Sequence, residues 1–355
     1  MLTCQVATHE RYFRGKLSNL TKRATMAEVA RETGVSLQTV SRAINNKGEI
    51  AEETKRRVLV VAERLNFRPS AIARSLATKR TKAVGLIVPD IANPFFSQIA
   101  RGVEDIAYSS GYSVFVCNTD EDHRRELSAL DSLLERQADG LILCSSRLPE
   151  TDLARSVKAF GSAVLVNRAL EENQKGIGTI LVDDASGTQQ AVGLLIIHGR
   201  RTVIAFLAGP EQSWSGRNRM QGFKEGLTQN GLRVDPALIK HCEPETDQAR
   251  EATLQLLQLR PDIDAFVAYN DLVAVGVLQA CKDLGRRVPE DVAIVGCDDI
   301  PLASLVTPPL TTLRIPTREM GVTAMRALIV TMRGEQQETS PIVLAPELIL
   351  RGSAP

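Results

Sequence analysis

A chain of 355 residues is long enough for two or three domains with sizeable cores. Its balance of 43% hydrophobic and 24% charged residues is that of a globular α/β protein, and no run nears the roughly 18 apolar residues of a membrane helix. The formal net charge of +1 hides a split: residues 1–82 hold 17 Lys and Arg against 7 Asp and Glu, and the rest hold 26 against 35, so a basic head suited to a polyanion precedes an acidic body.

Residues 1–23 carry His9, Arg11, Arg14, Lys16, Lys22 and Arg23 with no apolar period, and read as a basic extension. They lack the apolar stretch and small-residue cleavage site of a secretory signal. Next, TMAEVARETGVSLQTVSRAINN (25–46) reads as two short helices pinched at Gly34. Thr25 and Glu28 form a capping-box pattern, Gly34 suits the left-handed end of the first helix, and Ser36 suits the cap of the second. Val29, Ala30, Val35, Val40 and Ile44 give one apolar face. Leu37, Gln38, Ser41 and Arg42 gather on the opposite face of the second helix. A helix-turn-helix offers such a face to base edges in the DNA major groove, whereas a surface αα-hairpin shares the same local pattern. The charge split favours DNA.

Glu52 to Leu65 reads as a third helix, with Ala51 at an N-cap position that has no capping side chain. Pro69 with SAIARSLA reads as a two-turn helix, too short to stand alone in water, followed by a basic tether TKRTK. From Ala83 the pattern changes. AVGLIV (83–88), YSVFVC (112–117), GLILC (140–144) and AVLVN (163–167) alternate with helical stretches such as Phe96 to Ser109 and Arg124 to Gln137. The alternation restarts with TVIAFLA (202–208), AFVAY (265–269) and VAIVGC (292–297), separated by helices at Gly216 to Asn230, Thr246 to Leu259 and Leu272 to Leu284. Two parallel sheets with helices on both faces are expected, with ligands bound where the carboxyl ends of their strands meet.

The six cysteines are scattered without a CxxC pair, which reads as buried thiols in a reducing compartment. No GxGxxG follows a strand, no P-loop is present, and His9, His123, His198 and His241 form no nucleophile or metal pattern. Neither an enzyme nor a cofactor is expected. An exported binding protein with the same core is the other rival, and the basic head argues against it.

At this point the chain resembles the lactose-repressor/galactose-repressor family of transcription regulators, over residues 25–352. The stretches that carry the resemblance are EVARETGVSLQTVSRAINN, RPSAIARSLA, VGLIVPDIANPFFSQIARGVE, GRNRMQGF, and YNDLVAVG followed by IVGCDDI. It implies an α/β chain built as a basic extension (1–23), a three-helix helix-turn-helix domain (24–68), a hinge helix and linker (69–82), and an effector-binding, dimerising core (83–355) of two periplasmic-binding-protein-like subdomains. It further implies a cytoplasmic homodimeric repressor on near-palindromic operator DNA, controlled by a small effector, a sugar or sugar derivative, held between the subdomains.

Carried over residue by residue, Leu37, Gln38 and Arg42 match base-reading positions; Leu37 contacts a thymine methyl or reads nothing. Thr25, Ser36, Thr39 and Asn45 resemble phosphate-contacting positions. Ala73 and Leu76 match the hinge residues of the minor groove, Leu76 being the wedge between base pairs. Phe96, Asn167, Asp183, Ser215, Arg219, Asn270 and Asp298 match effector positions, with helix or turn capping the plainer reading of Asp183 and Asp298. Cys242 stands near the place where purine-type members stack an aromatic, which argues against a purine. Trp214 either lines the cleft or serves the structure. No long apolar heptad follows the core, which favours a dimer over a tetramer.

Overall fold

The computed structural model describes residues 24–45, 48, 50–67, 80–172, 174–335 and 340–354. The expected extension at 1–23 and the hinge residues Ala73 and Leu76 lie outside the described residues. The chain divides into two compact units between Thr81 and Lys82.

The first unit holds three helices: α1 (Met26–Thr33), α2 (Leu37–Ile44) and α3 (Glu52–Arg64). The local signals in the sequence act as expected. The Thr25 hydroxyl accepts a bond from the Glu28 N–H at 3.3 Å, and the Thr25 N–H donates to Glu28 Oε2 at 2.7 Å, closing the capping box. Gly34 ends α1 at φ 68°, where a side chain would be strained. Ser36 Oγ accepts the Thr39 N–H at 3.1 Å and starts α2; a cap of this kind is worth about 1 kcal/mol. Ala51 caps α3 without a side-chain bond. Val29, Val40 and Val58 meet fully buried between the helices, with Ala30, Ala43 and Ala62 closing the gaps and Val35 and Ile44 at the edge.

The second unit consists of two lobes, each built on a six-stranded sheet. Lobe 1 contains β1 (Ala83–Val88), β2 (Ser113–Asn118), β3 (Gly140–Cys144), β4 (Ala163–Val166), β5 (Ile177–Val182) and β11 (Ile342–Leu344), in the order β11-β5-β4-β3-β1-β2, all parallel. Its helices are α4 (Pro94–Ser109), α5 (His123–Glu135), α6 (Glu150–Phe160) and α12 (Thr317–Met332). Lobe 2 contains β6 (Ile204–Ala208), β7 (Ile239–His241), β8 (Ala265–Ala268), β9 (Ala293–Asp298), β10 (Thr311–Arg314) and β12 (Glu347–Ile349), in the order β12-β10-β9-β8-β6-β7. Only β12 runs antiparallel there. Its helices are α7 (Asp184–Gly193), α8 (Trp214–Gln229), α9 (Thr246–Leu259), α10 (Asp271–Asp283) and the single-turn α11 (Pro301–Leu305).

The central strands are buried along their whole length, as continuous apolar runs in a doubly covered parallel sheet must be. In lobe 1, α4 and α12 cover one face, and α5 and α6 the other. In lobe 2, α9 and α10 face α7 and α8 across the sheet. The chain passes between the lobes three times, at Val182–Asp184, Arg314–Thr317 and Leu344–Glu347, so neither lobe is one continuous segment. The alternation read from the sequence is therefore present, and β5, β7, β10, β11, β12, α6, α7 and α12 extend it.

Helices α4 and α12 approach so closely that a Cβ on Gly102 would stand 2.2 Å from the Arg318 carbonyl oxygen, and one on Gly321 would stand 2.1 Å from that of Ile99. Backbone atoms on both sides cannot yield. Gly321→Ala should therefore destabilise the core by about 1–3 kcal/mol, the usual cost of overpacking, read as a shift in the denaturant midpoint of the core transition. An unchanged midpoint would show that the helices part without penalty.

Candidate functional site

Two surfaces merit attention, one in each unit. On the head, Leu37, Gln38 and Arg42 are exposed together on α2, and Leu37 is 55% accessible despite being a large apolar side chain at the first residue of the helix. Ser41 and Thr39 are half-buried, and the Thr39 hydroxyl lies 2.9 Å from Ser36 Oγ. Asn45 ends the helix, with its Nδ2 donating to the Ser41 carbonyl at 2.8 Å. An Arg64–Glu32 ion pair fastens α3 to α1 behind this face. The face is thus held by a capped helix packed on two others, and it presents one amide, one guanidinium and one apolar group.

In the second unit, the carboxyl ends of both sheets meet at a fissure walled by Asn93, Phe95, Phe96, Glu121, Ser145, Asn167, Ser215, Arg219, Pro244, Tyr269, Asn270 and Asp298. It encloses about 340 Å³ including its open mouth. Six of the seven expected effector residues are brought here. Phe96 comes from the first turn of α4, which Asn93 caps by accepting the Phe95 N–H at 3.0 Å. Ser145, Asn167 and Asp298 stand at the ends of β3, β4 and β9 with φ of 47°, 53° and 110°, in the left-handed region that non-glycine residues seldom occupy. Asn270 Oδ1 caps α10 through the Val273 N–H at 2.9 Å.

Arg219 forms the floor. It is 4% exposed; its Nε donates to Asp184 Oδ1 at 2.7 Å, its Nη1 donates to the Tyr269 carbonyl at 2.5 Å, and its Nη2 is 3.6 Å from Asp298 Oδ1. Burial opposes the Arg219 charge, but the neighbouring groups, Asp184 foremost, more than compensate and hold it ionised. Burial pushes the Asp184 carboxyl up, and lifts Asp298 well above the carboxylate range in spite of Arg219. One cation thus serves two buried carboxyls.

Asp183 is the expected residue that does not reach the fissure wall. Its carboxylate accepts the Ser186 N–H at 3.2 Å and caps α7, so the plainer of the two readings describes its place, and its neighbour Asp184 turns inward to Arg219 instead. Tyr269, Ser145, Asn93 and Glu121 were not singled out from the sequence, although Ser145 and Tyr269 follow apolar strand runs as the expected residues do. Trp214 is the first residue of α8, partly buried beside the fissure. Cys242 accompanies β7, with its thiol 3.7 Å from the Ala208 carbonyl. Among the described residues no group of three His, Cys, Asp or Glu could hold a metal ion, and no helix is long and apolar enough to cross a membrane.

Behind the end of β9, Asp271 is fully buried; its Oδ1 accepts Thr312 Oγ1 at 2.6 Å and its Oδ2 accepts the Ile300 N–H at 2.8 Å. Burial pushes its carboxyl up to about 7. An unfolded Asp titrates near 4, so the folded state holds this proton more tightly. Stability is unaffected below about pH 4, falls as pH rises toward 7, and then levels off. The raised Asp184, Asp298 and Glu126 act in the same direction. Between pH 4.5 and 6.5, Asp271→Asn should reduce the decline by up to about 1.4 kcal/mol per pH unit, measured by denaturant titration; an identical slope in the variant would remove this assignment.

Residues 25–70 match the family described as bacterial regulatory proteins, lacI family, and residues 192–354 match the periplasmic binding protein-like domain. The ribose operon repressor of Halalkalibacterium halodurans is 34% identical over 327 residues, 92% of this chain and 96% of that protein. Catabolite control protein A of Priestia megaterium is 35% identical over 330 residues, 93% of this chain and 98% of that protein. The solved structure of the lac repressor dimer bound to operator and the anti-inducer ONPF is 28% identical, with a TM-score of 0.83 over 94% of this chain and 99% of that one.

Proposed function

The chain belongs to the lacI family of bacterial regulatory proteins, DNA-binding transcription regulators and not enzymes, and from that premise we propose that it is a cytoplasmic, homodimeric repressor whose operator affinity is set by a sugar or sugar derivative in the fissure. The observation that carries the reading is the exposed Leu37–Gln38–Arg42 face on a firmly capped α2. A Gln side chain pairs bidentately with adenine and an Arg with guanine, each worth about 1–3 kcal/mol of discrimination. Leu37 at 55% exposure suits a thymine methyl. Thr25 at the start of α1, with Ser36, Thr39 and Asn45 at the two ends of α2, fix the head on phosphates, and Leu76 wedges the minor groove.

Dimer formation is supported by the edge strand β2, where Phe115 and Val116 are each 47% exposed, and by Tyr108 on the adjoining α4, 86% exposed. An unpaired strand edge with large apolar groups is a surface that a second copy covers. Two heads then meet a near-palindromic operator. The effector bears on the heads through lobe 1. The Lys82 N–H donates to Asp139 Oδ2 at 3.0 Å and the Lys82 ammonium lies 4.3 Å from the Tyr112 ring centroid, so the point where the chain enters the core moves with that lobe. A ligand that prefers one lobe arrangement shifts DNA affinity by its differential affinity for the two.

In binding assays over operator libraries, Arg42→Ala should relax preference at a single base-pair position in each half-site and weaken binding roughly 10- to 100-fold. A uniform loss at every position would make Arg42 a phosphate contact instead. Asp298→Asn should leave operator affinity within about twofold while removing the response to effector; a full response in that variant would sink the fissure as the effector site.

A further inference from the structure

Beside the effector fissure the chain assembles a group of cations that neither the sheet ends nor the Arg219 cluster requires. Arg168, one residue beyond Asn167, and Arg217, two residues beyond Ser215, place their guanidinium carbons 5.5 and 5.7 Å from the centroid of the same indole, Trp214. Asn167 and Ser215 themselves line the fissure. Arg168 comes from lobe 1 and Trp214 and Arg217 from lobe 2, so this contact crosses the mouth between the lobes. The third member, Arg147, follows β3 and is 7% exposed. Its Nε pairs with Glu121, a fissure-wall residue, at 2.5 Å. It is held in place from below by the buried Glu126, which accepts the Arg147 N–H at 2.9 Å and the Ser146 hydroxyl.

Arg217 is the member of the three without a carboxylate hydrogen bond among the described residues: Glu121 and the buried Glu126 flank Arg147, and Glu150 accepts Arg168 Nη2 at 3.0 Å. Arg217 bonds backbone carbonyls, those of Gln212 at 3.3 Å and Glu211 at 3.5 Å. Arg217 is held below its ordinary basicity by partial burial, by Arg168 and by Arg147, so the three guanidinium groups feel one another. Two donors in the group are also buried without an acceptor among the described residues: Nη1 of Arg147 and Nε1 of Trp214. A buried donor left unmet is costly, the more so when it is charged. The N-terminus of α8, at Trp214, adds partial positive charge at the same place. A cation or an apolar group would worsen every one of these features, a neutral hydroxyl would meet the donors but not the charge, and an oxyanion meets both.

We propose that the effector of this chain carries an oxyanion, a phosphate ester or a carboxylate, seated by Arg147, Arg168, Arg217 and Trp214 at the rim, while its polyol body lies against Arg219, Asn270 and Asp298. The proposal rests on the fissure being the effector site. Planar guanidinium forks suit both oxyanions, and their placement on both lobes makes the anion a bridge that favours the closed arrangement.

The test uses the full chain at constant ionic strength and calorimetric titration with matched sets: ribose and ribose 5-phosphate; glucose, glucose 6-phosphate and gluconate; and inorganic phosphate alone, with melting temperature as a second readout. At least one anionic member is expected to bind 10-fold or more tightly than its neutral parent, and inorganic phosphate to raise the melting temperature above a chloride control. Arg217→Ala changes a side chain that is hydrogen-bonded only to backbone carbonyls and lies beside the Trp214 indole, and should erase most of that preference; Arg217→Lys should restore part of it. The phosphate and carboxylate arms identify which oxyanion is taken. Neutral sugars binding as tightly as their phosphates and acids, or an anion preference unmoved by Arg217→Ala, would overturn the proposal while leaving the effector fissure intact. No binding by any sugar and no stabilisation by phosphate would count against both.

Discussion

The buried guanidinium of Arg219 is the constraint around which the ligand-binding unit is arranged. A charge removed from water must find partners with good geometry, because the loss of its hydration is otherwise worth several kcal/mol. Here the partners come from three separate points: Asp184 at the start of α7, the Tyr269 carbonyl just past β8, and Asp298 at the end of β9. They converge only if lobe 2 has its strands in register and its first crossover from lobe 1 in place. The ion cluster is therefore a check on the assembly of that lobe as well as the floor of the fissure. Burial, with Asp271 and Asp184 adding to it, raises the Asp298 carboxyl well above its ordinary value in spite of the Arg219 cation beside it.

The strand ends above that floor hold backbone conformations that cost energy. Ser145, Asn167 and Asp298 each turn with positive φ at the point where a strand stops, and each belongs to the fissure wall. Short polar side chains tolerate this region better than others, though still at a cost of about 1 kcal/mol or more. The turn redirects the chain abruptly, so that the residue faces the opposite lobe instead of continuing the sheet. Asp299, also at positive φ, is clamped by Arg314 at 2.8 Å and Arg351 at 2.6 Å, which joins the end of β9 to the crossover segment after β10.

Much of this was legible in the sequence because it depends on local rules. Thr25, Gly34 and Ser36 each mark a helix end by their own chemistry, and all three act as read. AVGLIV and GLILC are apolar throughout because both faces of the strand are covered. Phe96, Asn270 and Asp298 each lie at a strand end or a helix start, where the strand reading directs attention, whereas Arg219, in the second turn of α8, was reached through the family resemblance. What escaped depends on tertiary phase. Asp183 and Asp184 are adjacent and chemically identical, and only the path of the chain out of β5 decides which caps the helix and which meets Arg219. Helix α12 is apolar on more than one side because it is wedged between α4 and the sheet, so it lacks a clear amphipathic stripe. Arg147 and Arg168 come from separate connecting segments and Trp214 from the start of α8; they share no motif, and packing alone makes them neighbours.

The three crossings between the lobes also set an order of events during synthesis. The head has its own buried core and is complete by Phe67, so it has all it needs to fold early. Lobe 1 is different: its sheet lacks β11 and one of its two covering layers lacks α12 until residues 317–344 have left the ribosome, after all but the last strand of lobe 2. A nascent chain therefore exposes the apolar face of β1, β3 and β4 while lobe 2 is being made, and apolar surface exposed in this way is prone to aggregation. A message cut short before α12 would yield a folded DNA-reading head joined to an unfinished core.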